Sequence, residues 1–233
     1  MERLAEIFAH FDDVRIVIYV RPQDEMAAAS YSTWVRDGQP VSFDIAHHIT
    51  LENRYDFARI ARRWANVFGQ EALDIRLYPR RTLFEDFLSV IGVEETDKAR
   101  WTSPPPSNVS LTDVELAFVL EMNRRLPRWS EGRPDNRFGN LTDVIEGSGL
   151  GERVTLSSAE RNMILSRYQA SNDWIMEHAT NVEGRTDYFD APRGEVPGNI
   201  HHQLSVDESN AFSAILWRAG ARARSRLPGL SDK

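Results

Sequence analysis

Residues 14–20 read Val-Arg-Ile-Val-Ile-Tyr-Val, and Arg21-Pro22-Gln23-Asp24-Glu25 follow at once. Six of those seven residues are β-branched or aromatic. Branched side chains lose rotamer freedom against a preceding helical turn and pack well on a pleated surface. A short apolar run of this kind, bounded by turn residues, suits a strand buried in a parallel sheet. Asp24 and Glu25 then open an alanine-rich stretch to Trp34, where the positive end of a helix dipole favours acids. A strand that feeds a helix directly predicts an α/β fold with a parallel sheet flanked by helices.

The rest of the first hundred residues repeats that alternation. Leu4, Ile7, Phe8 and Phe11 recur at helical spacing ahead of the strand. Asp37-Gly38-Gln39-Pro40 is a turn. The spacing of Phe57, Ile60, Trp64 and Phe68 predicts one helix over about 53–68, with that stripe as core and Gly69 past its end. Leu73-Asp74-Ile75-Arg76-Leu77-Tyr78 alternates as a strand does, and Phe84 to Ile91 reads as a helix closed by Gly92. After Trp101 the character changes. Ser103-Pro104-Pro105-Pro106 is extended. Ser110 or Thr112 caps a helix, and 130–151 reads as a long loop. Ser157-Ser158-Ala159-Glu160 begins a helix to about His178, and a last helix covers about 208–226. The expectation is a single domain over 1–233, with an α/β part at 1–100 and a mostly helical part with long loops at 101–233.

Composition narrows the class. The 233 residues carry 28 basic and 35 acidic side chains, a net charge of −7, which disfavours a nucleic-acid partner. Cysteine is absent, so disulfides, thiolate metal sites and a cysteine nucleophile are excluded. No apolar run approaches the ~18 residues of a membrane span, and the first residues give no secretory signal; the expected address is cytoplasmic. The histidines, including His47-His48 and His201-His202, show no i, i+4 pair, so no metal site is expected. His47 or His48 could act as a general base, and surface histidines are the plainer reading. Gly147-Ser148-Gly149-Leu150-Gly151 has neither a strand before it nor a Lys-Ser or Lys-Thr after it, and reads as a turn.

Arg21 is the residue with the clearest chemistry. Ligands in parallel α/β sheets bind beyond the carboxyl ends of the strands, and a guanidinium beside unsatisfied helix N–H groups makes an anion site. Ser30 and Tyr31, two to three turns along, could add hydroxyls. The alternative is a helix-start ion pair between Arg21 and Asp24 or Glu25. Arg80 and Arg81 follow the second strand and could form an anion rim at the same sheet edge, or pair with Glu71, Asp74 or Glu85. Arg59, Arg62 and Arg63 read as a solvated helix face.

Several segments in order resemble the bacterial sulfotransferase family, specifically its polysaccharide-sulfating branch. They are Tyr19-Val20-Arg21, Gln23-Asp24-Glu25 with Tyr31, Tyr55, Trp64, Phe68-Gly69, Tyr78-Pro79, Asp86-Phe87-Leu88 to Gly92, Asn108-Val109-Ser110-Leu111, Asn123, Ser171-Asn172 with Trp174, and Tyr188-Phe189-Asp190. The likeness covers roughly residues 14–190. It implies a P-loop nucleoside triphosphate hydrolase-like fold and a 3′-phosphoadenosine 5′-phosphosulfate donor. It also implies sulfuryl transfer to a carbohydrate hydroxyl, with Arg21, Ser30 and Tyr31 on the nucleotide's 3′-phosphate side and no metal. Two departures stand out. The family serine falls eight residues after the arginine, at Ala29 here, and Ser30 is turned by ~100° from it. The family's upstream loop for the 5′-phosphosulfate has no counterpart in the 20 residues before Arg21, none of which is glycine. The expectation is therefore a fold incomplete at its N-terminus, either truncated or naturally lacking that loop. A non-catalytic binding or partner protein of the same fold is the alternative. A missing first strand would leave a sheet edge exposed, to be covered by residues 2–11 or by a second copy in a homo-oligomer.

Overall fold

The computed structural model describes residues 2–98, 100–103, 110–126, 129–130, 133–134, 141–190, 194–195 and 197–225. Asn108 and Val109 of the likeness, and the Pro104–Pro106 run, lie outside the described residues. The architecture is mixed α/β and mostly helical, with a small parallel sheet.

The elements are α1 (Glu2–Phe8), β1 (Ile16–Val20), α2 (Gln23–Arg36), α3 (Ile45–His48), α4 (Glu52–Tyr55), α5 (Phe57–Phe68), β2 (Leu73–Leu77), α6 (Leu83–Val90) and α7 (Glu95–Lys98). They continue with α8 (Asp113–Arg125), β3 (Trp129–Ser130), β4 (Arg133–Pro134), α9 (Leu141–Ile145), α10 (Ser158–Arg167), α11 (Gln169–His178) and α12 (Val206–Ser225). Two of the expected helices are each divided. The 53–68 helix breaks at Asp56, whose carboxylate accepts from the Arg59 N–H and starts α5 afresh. The 157–178 helix breaks at Tyr168, a buried residue whose hydroxyl donates to Ile49 O at 3.0 Å.

The chain forms two compact units. The first holds Met1–Asp24, Ile45–Asn108 and Arg161–Arg193; the second holds Glu25–Asp44, Val109–Glu160 and Gly194–Lys233. In the first unit β1 and β2 run parallel, with Ile16 opposite Leu73 and Val20 opposite Leu77. Helix α5 lies along both strands and α11 packs on α5. Val20, Ala58, Ala61, Ile75, Leu77 and Ile175 are buried there. The outer edge of β2 is filled without a strand. Thr180 N–H donates to Ile75 O at 2.8 Å. The Asn181 amide accepts from Leu77 N–H at 2.6 Å and donates to Leu77 O at 3.0 Å.

In the second unit Tyr31, Val35, Leu111, Leu116, Val119 and Phe212 are buried, and Phe118 stacks on Phe212 at 4.3 Å. Thr112 and Glu115 form a reciprocal cap on α8. The Asn123 amide donates to Val35 O in the last turn of α2, satisfying a helix-end carbonyl, and to Gln39 O in the turn beyond it. The glycine string is docked on α8: Ser148 gives both its N–H and its hydroxyl to Glu115, and Thr112 Oγ1 donates to Leu150 O. Gly147, Gly149 and Gly151 all have positive φ, so the string is a turn. Ser157 with Glu160 and Ser205 with Glu208 repeat the capping-box pattern at α10 and α12.

Candidate functional site

The carboxyl ends of β1 and β2 lie side by side in the first unit because the strands are parallel and in register. Val20 leads into Arg21, Pro22 and the start of α2; Leu77 leads into Tyr78, Pro79, Arg80 and Arg81. Proline at position 22 suits the entry to a helix, where its missing N–H removes nothing. The Arg21 guanidinium lies 5.9 Å from the centroid of the Tyr78 ring, at the outer limit of cation–π attraction. Arg80 and Arg81 are exposed in the turn between β2 and α6. The Tyr188 hydroxyl ties the two ends together, 3.1 Å from Val20 O and 3.3 Å from Tyr78 O. Arg185 donates to Leu77 O at 3.2 Å. Three arginines of the expected set thus follow the carboxyl ends of neighbouring strands.

Ser30 and Tyr31 belong to the second unit. Ser30 is half-buried on α2. Tyr31 is 3% exposed, packs edge-on against Phe43 at 5.3 Å and donates to Val41 O at 3.1 Å. Burial pushes its phenol up to about 12, because the phenolate would have to leave water.

Two residues after Arg21 the chain enters a buried polar cluster that the sequence did not announce. Gln23 is fully buried, and its amide donates to Asn172 Oδ1 at 2.6 Å and Tyr55 O at 3.2 Å. Gln23 Oε1 and Asn172 Nδ2 have no hydrogen-bond partner among the described residues. Asp24 accepts an ion pair from Arg161 Nε at 3.4 Å, with both side chains nearly buried. His48 Nδ1 lies 2.8 Å from the Tyr55 hydroxyl, and both residues are buried, whereas His47 is exposed. Ser171 Oγ accepts the Ala58 N–H in the first turn of α5.

A second network sits over the sheet. Asp86 of α6 accepts from Arg76 Nε and Nη2 at 2.8 and 2.7 Å and from the Tyr19 hydroxyl at 2.6 Å. The Arg76 hydrogen bonds hold the Asp86 carboxyl below its ordinary range, outweighing its burial. Burial and the Asp86 hydrogen bond push the Tyr19 phenol upward. The remaining helix arginines are accounted for in part: Arg59 pairs with Glu52 at 2.6 Å, and Arg62 lies 4.8 Å from the Trp174 ring centroid. Among the described residues no group of three or more His, Asp or Glu side chains could hold a metal ion, and no helix is long and apolar enough to cross a membrane.

No family model matches the chain, and no curated protein or solved structure matches it. The functional reading therefore rests on the residues themselves.

Proposed function

We propose that the first unit binds a phosphorylated nucleotide at the carboxyl ends of β1 and β2, as a sulfotransferase-like protein. The observation that carries this is the placement of Arg21 directly after a parallel strand and before α2, beside a neighbouring strand that ends in Arg80-Arg81. Helix N–H groups and guanidinium forks are the donors that phosphate oxygens take. The P-loop-like fold, the 3′-phosphoadenosine 5′-phosphosulfate donor and the carbohydrate acceptor come from the likeness described above and belong to this proposal. In that chemistry the acceptor hydroxyl loses its proton to a base and its oxygen bonds to sulfur. The bond from sulfur to the bridging phosphate oxygen breaks, and 3′-phosphoadenosine 5′-phosphate leaves. The role of this chain's residues is orientation: Arg21 holds phosphate charge, and Arg80 and Arg81 add positive potential at the rim.

A second reading is a partner or binding protein that keeps the nucleotide side without the reaction. It is favoured by the internal commitments of the buried polar groups that follow Arg21 into the first unit. Gln23 serves Asn172 and Tyr55, Asp24 serves Arg161, and His48 is buried against Tyr55.

Calorimetric titration of the full chain with 3′-phosphoadenosine 5′-phosphate tests the binding claim. Saturable binding that Arg21→Ala weakens at least ~10-fold is expected, the loss of one charge-assisted contact. Absence of binding at millimolar nucleotide, or indifference to Arg21→Ala, overturns it. Sulfuryl transfer to a carbohydrate panel then separates the readings: turnover supports the enzyme, and binding without turnover supports the partner protein.

A further inference from the structure

The outer edge of β1 carries the inference. In the parallel register with β2, the backbone groups of Ile16, Ile18 and Val20 face β2: Ile16 N–H donates to Ala72 O, and Val20 O accepts from Tyr78 N–H. Val17 and Tyr19 alternate with these, so their N–H and C=O groups face the opposite edge. Among the described residues those groups have no backbone partner. Edge strands are ordinarily blunted by proline, lysine, a bulge or extreme shortness. The run Ile-Val-Ile-Tyr-Val has no proline and no charge, and its composition is that of an interior strand. Helix α6 lies over it, with Asp86 accepting from Tyr19 and Val90 O accepting from Arg15. Phe87 on that helix and Ile91 at its C-terminal cap are 42% and 53% exposed.

We infer that a second copy of this chain fills this edge, β1 pairing antiparallel with its own symmetry mate to give a four-stranded sheet across a two-fold axis. Charge selects the register. Val17 and Tyr19 face outward within β1, and the same alternation, continued past both ends of the strand, would bring positions 13, 15 and 21 to that edge. With Val17 opposite Val17 of the second copy, Arg15 meets Tyr19 and Asp13 meets Arg21, an opposite-charge pair on each side of the axis. With Val17 opposite Tyr19, Arg15 would meet Arg21, which repels. The same two-fold brings the two α6 helices to one face of the joined sheet, where Phe87 and Ile91 can lose water. Growth stops at two copies, because Thr180 and Asn181 already occupy the other edge of the sheet.

Sedimentation equilibrium of the full chain over a wide concentration range reads the association. A monomer–dimer equilibrium with no larger species is expected. Val17→Pro removes an outward N–H that serves no backbone bond among the described residues, and should leave circular dichroism intact while abolishing the dimer. Asp13→Lys, at an exposed position before the strand, should weaken dimerisation by about tenfold. The double variant Asp13→Lys with Arg21→Glu should restore it. A monomer at every concentration overturns the inference. So does an open-ended ladder of species, a dimer that survives Val17→Pro in a folded protein, or a charge swap without rescue. Should Val17→Pro not fold, the charge-swap pair decides alone.

Discussion

Arg76 grips Asp86 with two parallel hydrogen bonds, Nε to Oδ1 at 2.8 Å and Nη2 to Oδ2 at 2.7 Å. Arg76 lies in β2 and Asp86 in α6, so one fork fixes the helix over the strand. Each side chain is 17% exposed, which leaves the pair largely shielded from solvent. The Tyr19 hydroxyl on the same carboxylate extends the tie to β1.

Asp86→Asn removes the charge and one acceptor while leaving Arg76 in place. The expected loss is about 2–3 kcal/mol in urea unfolding, the range for a charge-assisted hydrogen bond in a shielded pair. The acid limb carries the same signature. A carboxyl whose folded pKa is depressed stabilises the protein fully above the unfolded Asp value of ~3.9, and that contribution disappears as pH falls through the folded value. Asp86→Asn should therefore flatten stability against pH below about pH 4. An unchanged acid limb would remove the pair from any account of stability.

Tyr31 acts at the other end of the scale. Its phenol is pushed up to about 12 by burial, against an unfolded value of ~10. The neutral form is the folded one, so the contribution is complete below pH 10 and falls away as pH rises toward 12. Tyr31→Phe should shallow the alkaline decline across that window. It should also cost about 1 kcal/mol near neutrality through the lost bond to Val41 O. A wild-type alkaline slope in the variant contradicts this.

Gln23→Leu strips the donor from both Asn172 Oδ1 and Tyr55 O. Two acceptors would remain buried without it, and a loss of about 2–4 kcal/mol is expected at roughly 1–2 kcal/mol each. Thermal unfolding measures it. A neutral effect would mean that solvent reaches the cluster.

Two glycines with similar backbone angles should respond differently to alanine. Gly147 has φ +74 and open space around a Cβ, so only the left-handed conformation is penalised, by about 1 kcal/mol. Gly198 has φ +75, and a Cβ there would fall 2.8 Å from Leu156 C and from Ser157 Cα. Backbone has to move, so Gly198→Ala should cost clearly more than Gly147→Ala in the same denaturant series. Equal losses would show that the 198 turn relaxes without cost.

The parts legible in the sequence are those governed by near neighbours. The run before Arg21 declares a strand by composition, and Ser157 followed by Glu160 declares a helix start by a three-residue spacing. Ser205 and Glu208 show the same spacing, which places the start of α12 at Val206, slightly ahead of 208. The break at Asp56 was hidden because it falls just ahead of the apolar stripe, which begins at Phe57, so the period does not register it; a side chain captures the Arg59 N–H there. Helix α3 covers only Ile45–His48, too short to show a period. Gln23 and Asn172 are 149 residues apart, and nothing local marks either as the other's partner. The charged residues of β2 are visible in the alternation Leu73-Asp74-Ile75-Arg76-Leu77, but the helix that receives Arg76 is not.

Asn181 holds Leu77 by an amide side chain placed where a neighbouring strand's peptide would otherwise be. A peptide group in a ladder is released only when its strand moves, whereas a side chain is released by rotation about its own bonds. The Leu77 amide should thus exchange with deuterated solvent through a local swing that leaves β1 and β2 joined. The amides of Asp74 and Arg76, directed at β1, should wait for the sheet to open. One short strand would then report two different opening events, read from alternate residues along the same five-residue chain.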